Sequence, residues 1–440
     1  MRKIIISIFL GKLGRASGFL FFASIAGGAI GYFYQILIAR LLSPAEYGVM
    51  VAMMAFLAIL SVPLGAYVML LSRDFSSLYA QGNIFEFLRR YREAWRRISL
   101  AALIFLAFYL VLLLSGIIQS YLKVGSRWDE LSFGILVTVS ILTVPNVSAF
   151  QGMQNFRMLG LNGIAGNVGK VIFGVGFVVL GWGVSGVFGG IVVTTILILL
   201  HNQMAIKQQL NNGLIFQENK INPEINSKIP ASSSIYPLLL ANLAFIIMSQ
   251  FDMILVKTYF TPEQTGIYAA AAVLGKTIMY LPGALVIALF PMVAENESLD
   301  RGSFSLLLQG LVITTFLSCF GGVILYFFAS PLINLLFGSA YAEAGKILQY
   351  YSLAMIPLAI VTIVEYFLIA KRRFLFAYLM LAVVPIEIIL VAYFHENLLQ
   401  IVWIMTVCGW LLLVVGMFAI GFQNRLEIYS FIKTKKKSAL

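Results

Sequence analysis

The chain alternates long apolar runs with short polar ones. Runs of roughly 20 residues, the length that crosses bilayer hydrocarbon as a helix, fall at 17–41, 49–72, 98–120, 131–150, 161–180, 183–204, 237–258, 267–293, 305–329, 347–370, 374–394 and 398–422. The fifth and sixth share a short turn at Gly181, Trp182 and Gly183. The pattern predicts an all-α integral membrane protein with about twelve transmembrane helices. Segment 84–97, IFEFLRRYREAWRR, is too charged to span. In it Ile84, Leu88, Tyr91 and Trp95 recur at helical spacing, with Arg89, Arg90, Arg96 and Arg97 mostly off that stripe. Glu86–Arg90 and Glu93–Arg97 are favourable i,i+4 pairs. This reads as an interfacial helix lying on the anionic inner leaflet.

Composition agrees. The 440 residues are 61% hydrophobic and 11% charged, against about 25% charged in soluble domains. No polar stretch is long enough for a separate soluble domain. The net charge of +12 matters through its location and does not argue for nucleic acid. The N-terminus, 73–97, 151–160, 205–236, 294–304, 371–373 and the C-terminal tail together hold 23 of the 30 Lys and Arg residues. The opposite loops hold Lys123 and Arg127, with Arg40, Lys257 and Lys346 at span ends. The positive-inside rule therefore puts both termini in the cytoplasm. The expected location is a bacterial or archaeal cytoplasmic (inner) membrane. Arg2, Lys3, Lys12 and Arg15 precede a long span with no clear small-residue cleavage site, which does not describe a cleavable signal.

The chain also repeats itself. ILIARLLSPAEYGVMVA at 36–52 aligns with ILVKTYFTPEQTGIYAA at 254–270, an offset of 218. Pro44 matches Pro262, Gly48 matches Gly266 and Ser43 matches Thr261. Six spans separate the copies, so both have one orientation, a parallel repeat about the membrane normal. The expected domains are a six-helix lobe at 1–206, a cytoplasmic linker at 207–236 and a second six-helix lobe at 237–440. Two like-oriented lobes suit alternating access around a central cavity.

Five ionisable residues fall well inside spans: Lys170, Asp252, Lys276, Glu365 and Glu387. Each costs roughly 2.5–3.5 kcal/mol at mid-bilayer on insertion scales, so each needs water or a partner. Polar neighbours share their faces. Asn242, Ser249 and Asp252 lie on one face, as do Gly163, Asn167 and Lys170; Lys276 and Tyr280 are four apart; Thr362 sits beside Glu365. Lys170 and Lys276 each lie about nine residues into a span, roughly 14 Å from its edge. Both are candidates to line a cationic cavity for an anionic head group. The alternative is a permanent tie, with Lys276 paired to Asp252. Asp252, Glu365 and Glu387 are candidates for reversible protonation and ion coupling; Glu365, near a span end, could instead be solvated.

Nothing in the chain carries an enzyme's chemistry. It lacks a P-loop, HExxH and GxSxG. Cys319 and Cys408 lie in apolar runs and read as packed hydrophobes; with His201 and His395 they make no metal set. No cofactor is expected.

These residues carry a resemblance. The ARLLSPAEYG stretch at 39–48 looks like the signature of the polysaccharide-lipid (Wzx-like) flippases, which export O-antigen, capsule and exopolysaccharide units. GMQNFRMLGLNG at 152–163, FDMILVK at 251–257 and LLFGSAYAEAG at 335–345 are similar too. That family belongs to the superfamily of multidrug antiporters and lipid II flippases. The resemblance implies movement of an undecaprenyl-pyrophosphate-linked oligosaccharide from the inner to the outer leaflet. An H+ or Na+ gradient would drive it, and polysaccharide polymerase machinery would be a partner. By motif position it singles out Arg40, Pro44, Gly48, Arg157, Asp252 and Gly338. Pro44 and Gly48 would shape the turn between the first two spans, and Arg157 would meet the pyrophosphate at the cytoplasmic mouth. A cation-coupled multidrug antiporter is the runner-up. A membrane-embedded glycosyltransferase or ligase, which would want a large soluble loop or paired catalytic groups, comes third.

Overall fold

In the computed structural model the described residues are 12–122, 125–217, 235–283, 289, 292–293, 303–371 and 373–423. All their regular structure is helical. Helix α1 (Lys12–Leu41) is followed by α2 (Pro44–Ala80), α3 (Ile84–Leu114), α4 (Ile117–Leu122), α5 (Arg127–Leu142), α6 (Val144–Gly152) and α7 (Phe156–Gly169). Two π-helical segments, Lys170–Val175 and Val178–Trp182, lead into α8 (Gly183–Gln217). Then come α9 (Ile235–Tyr259), α10 (Pro262–Tyr280), α11 (Phe304–Phe327), α12 (Ala329–Leu336), α13 (Ala344–Ala370), α14 (Leu375–Tyr393) and α15 (Leu398–Gln423).

Ten stretches of the described residues are long and apolar enough to cross a membrane. One of them, Phe156–Leu210, covers both the fifth and the sixth expected spans. The eighth, 267–293, falls partly outside the described residues, as do much of the 205–236 and 294–304 loops and the C-terminal tail. The chain divides into one unit of residues 1–50 and 63–229 and another of 51–62 and 230–440. Helix α8 runs on to Gln217, past the expected lobe end at 206.

The two stretches aligned at 36–52 and 254–270 begin helices in the same way. Ser43 Oγ accepts from the Glu46 amide at 3.3 Å, and Glu46 accepts from the Ser43 amide at 2.9 Å. Thr261 and Gln264 make the same reciprocal pair at 3.3 and 3.2 Å. Each box satisfies donors that a helix start leaves open. Pro44 and Pro262 stand in the first turns, where a missing N–H costs nothing. Pro44 thus opens α2, and Gly48 is buried within it, instead of shaping the turn.

Several helices outrun a bilayer. The 37 residues of α2, 31 of α3 and 35 of α8 correspond to roughly 55, 47 and 52 Å at 1.5 Å per residue, against about 30 Å of hydrocarbon. Here the structure corrects one expectation. Segment 84–97 is no separate helix on the lipid surface but the first half of α3. Its buried face is Ile84, Phe87, Tyr91, Ala94 and Ile98. Ile84, Phe87, Tyr91 and Ala94 pack with Phe75, Ala149, Phe150, Ile206 and Leu210 from α2, α6 and α8. The arginines remain exposed. Glu86 reaches Arg89 at 3.0 Å and Arg90 at 3.1 Å, while Glu93 pairs back to Arg89 at 3.7 Å and not forward to Arg97. Protein, not lipid, takes the apolar face, because the neighbouring helices extend just as far.

In the first unit α1 and α7 pack closely and in parallel. A Cβ on Gly160 would lie 2.9 Å from Ala23, one on Gly27 3.4 Å from Asn167, and one on Gly31 3.1 Å from Asn167. Further along, α8 passes the first π-helical segment backbone to backbone. A Cβ on Gly190 would sit 2.3 Å from the Gly174 amide nitrogen. Backbone cannot move aside cheaply, so Gly190→Ala is expected to destabilise by about 1–3 kcal/mol. Gly176, with nothing within 4 Å, is the control: Gly176→Ala should leave the melting temperature in detergent nearly unchanged.

In the second unit α13 is central, packed by α10, α11 and α15. Of its span window 78% is buried, against 17% for α3. Cys408 lies in this core, whereas Cys319 is exposed and is not the packed hydrophobe expected.

Candidate functional site

The second unit holds a buried charged cluster. Asp252 lies in α9, 1% exposed, and Lys276 in α10, 8% exposed. Lys276 Nζ is 3.3 Å from Asp252 Oδ1. It also donates to Gln250 Oε1 at 2.9 Å. Asp252 Oδ2 accepts from Tyr268 at 3.0 Å and from Tyr351 at 2.8 Å. The two phenol rings meet edge to face, with centroids 5.7 Å apart. Gly275 admits Tyr351, since a Cβ there would stand 2.3 Å from the ring. The Tyr280 hydroxyl accepts from Gln250 Nε2 at 3.4 Å, although its ring is 53% exposed. Glu387, buried on α14, is within electrostatic reach of both Asp252 and Lys276.

Such a cluster can hold two opposite charges away from water. A carboxylate and an ammonium in contact still need their remaining hydrogen bonds met. Gln250, Tyr268 and Tyr351 meet them. These three were not singled out from the sequence. Gln250 is the one whose signal was within reach, two residues before Asp252. Tyr351 comes from a span 99 residues further on. Asn242 and Ser249 share the expected stripe but bond to carbonyls of their own helix, Leu238 and Ile246.

The remaining candidates lie elsewhere. Glu365 is 2% exposed, and its Oε1 has no hydrogen-bond partner among the described residues. It stands among the apolar residues of α13, so it is not a solvated span-end group. Thr362 bonds back to Leu358 and Ala359 and does not reach it. In the first unit Lys170 opens a π-helical segment, half-buried, with no ion pair among the described residues. Single π turns in helices are frequent at functional positions. Asn167 bonds Gly163 of its own helix and packs on Gly27 and Gly31, so it serves helix contact. Arg40 and Arg157 are both exposed. Because Phe19 and Ala23 of α1 lie beside Gly160 of α7, Arg157 sits near the start of α1. Arg40 is at its end, roughly 30 Å along the helix. The structure does not bring these two arginines together. Gly338 has φ +97°, a left-handed conformation that favours glycine at this position of the 335–345 stretch.

The all-helical fold is shared with polytopic membrane proteins of known structure. The structure is similar to an inward-facing multidrug resistance MATE transporter of the MOP superfamily, with 12% identity, 93% of this chain and 99% of that one covered, and a TM-score of 0.67. It is similar to the lipid II flippase MurJ in an inward closed conformation, at 18% identity, 93% and 87% coverage and a TM-score of 0.61. The Vibrio cholerae MATE transporter VcmN in the bent form matches at 14% identity, 93% and 98% coverage and a TM-score of 0.53. A search of curated proteins returns no match. The chain belongs to the family described as polysaccharide biosynthesis protein, which matches residues 37–346 and spans all four stretches that carried the resemblance. It is a multi-pass membrane protein of that family.

Proposed function

We propose that the protein is a flippase for an undecaprenyl-pyrophosphate-linked oligosaccharide, moved from the inner to the outer leaflet by alternating access and driven by an H+ or Na+ gradient. One observation carries the reading: a polysaccharide biosynthesis family member is built as a membrane protein on the fold of a lipid II flippase. Two six-helix lobes with a cytoplasmic linker at 207–236, both termini cytoplasmic, are part of the proposal. Lys170 is the substrate-facing cation, since no carboxylate neutralises it among the described residues. Arg157 meets the pyrophosphate at the cytoplasmic face. Lys276 and Asp252, with Glu387 beside them, form the coupling centre, and Glu365 is a second carboxylate available for ion exchange.

The test is reconstitution. Proteoliposomes carrying the protein and a fluorescent lipid-linked oligosaccharide should translocate the label when an ion gradient is imposed. Lys170→Gln should reduce translocation at least tenfold with normal protein levels, since a charge-assisted phosphate contact is worth about 1.5–3 kcal/mol. Drug extrusion without lipid translocation would replace the reading with the multidrug antiporter.

A further inference from the structure

The first unit contains a cleft of about 630 Å³ at the end carrying the α1–α2 turn. It falls within the roughly 300–1,000 Å³ of ligand pockets. Glu46, Trp128, Asp129, Ser132, Trp182 and Ser185 line it. Two indoles face outward, Trp128 72% and Trp182 57% exposed. Trp182 is held by stacking on Phe177, with centroids 4.9 Å apart. Gly181 and Gly183, at φ +90° and +52°, turn the chain so that Trp182 projects between them. The lack of a side chain at Gly183 also leaves room for Glu46, whose Oε1 would lie 3.1 Å from a Cβ there.

The charge of this cleft is unlike that of the chain. Among the described residues no Lys or Arg lines it, and neither Glu46 nor Asp129 has an ion pair. One Asp129 oxygen accepts from the Ser185 hydroxyl, and one Glu46 oxygen caps α2. Ser185 also bonds the Asp129 carboxylate through its backbone, whereas the cap on Ser43 uses only Oε2 of Glu46 and leaves Oε1 on the cleft side. Uncompensated carboxylates repel phosphate and uronic acids but accept hydrogen bonds from hydroxyl groups. Exposed indole faces cover the apolar C–H faces of a pyranose ring. Positive charge suits the pyrophosphate; this cleft suits the sugar.

We infer that the cleft is a carbohydrate subsite that takes one or two neutral sugar residues. Its substrate source, the glycan of the lipid-linked oligosaccharide, rests on the flippase reading above; its chemistry does not. With the termini cytoplasmic, the cleft faces outward, where the glycan arrives as the lipid crosses.

The experiment is saturation-transfer NMR on the full chain in nanodiscs, with cellotriose and chitotriose as neutral probes and tri-galacturonate as the acidic one. The neutral trisaccharides should receive saturation and the acidic one should not. Trp128→Ala and Trp182→Ala should each weaken binding about five- to tenfold. Asp129→Asn and Glu46→Gln should each weaken it about threefold or more. Glu46→Gln keeps the helix start, because Gln264 makes the same cap on Thr261. Trp410→Ala, an exposed indole outside the cleft, should bind as the parent does. The inference fails if neutral sugars receive no saturation, if the acidic sugar binds equally well, or if the Trp128 and Trp182 variants lower membrane levels without changing binding. That last result would make the indoles interfacial anchors. Sugar binding without translocation in proteoliposomes would retain the subsite and remove the flippase reading.

Discussion

Asp252→Ala is expected to cost the largest share of stability of any single change in the second unit. It leaves the Lys276 ammonium, 8% exposed, with only the Gln250 carbonyl at 2.9 Å, and removes the acceptor shared by Tyr268 and Tyr351. Removing one partner of a buried pair typically costs about 3–5 kcal/mol, because the other charge stays behind. Asp252→Ala should therefore lower the melting temperature sharply. Lys276→Met should be milder, since an unpaired aspartate still holds two tyrosine hydrogen bonds. The double variant should recover much of the Asp252→Ala loss, because neither member of the pair is left without the other. A double-mutant cycle measures the coupling directly. Recovery of both fold and gradient-driven translocation in the double variant would make the pair a structural tie; recovery of fold alone would assign it to coupling.

Phe87→Ala should destabilise the first unit by roughly 3–5 kcal/mol, the usual cost of emptying a fully buried aromatic site. The ring is 0% exposed, 4.8 Å from Phe75 and 6.3 Å from Tyr79. Phe85, 73% exposed two residues earlier, provides the comparison. Phe85→Ala should change stability by less than about 0.5 kcal/mol. The measurement is thermal unfolding in detergent. Equal effects at 85 and 87 would mean that the helix packs on lipid after all.

The contrast between these two phenylalanines shows where sequence reading stopped. The stripe of Ile84, Leu88, Tyr91 and Trp95 is about one residue out of register with the buried one, Ile84, Phe87, Tyr91, Ala94 and Ile98. Helical periodicity tolerates either face when arginines flank both. What settles the matter is the length of α2 and α8, whose ends supply Phe75, Ile206 and Leu210. Span length is likewise hidden in sequence. An apolar run marks the part inside hydrocarbon, but a helix continues as long as its hydrogen bonds are met, here from Pro44 to Ala80.

The sequence by itself determined the solvent of this protein, its helical class and its family. A bilayer forbids unpaired backbone polar groups, so long apolar runs admit little besides helices, and ARLLSPAEYG with its companions identified the kin. It also marked Asp252 and Lys276, since charge inside a span always needs an explanation. Only the tertiary structure decided what that explanation is. Asp252 and Lys276 are 24 residues apart, and Tyr351 reaches them from α13 through the space left by Gly275. A hydrogen bond has a reach of about 3 Å. Which groups come within it depends on how helices pack, and apolar helix faces carry little trace of that packing in their sequence.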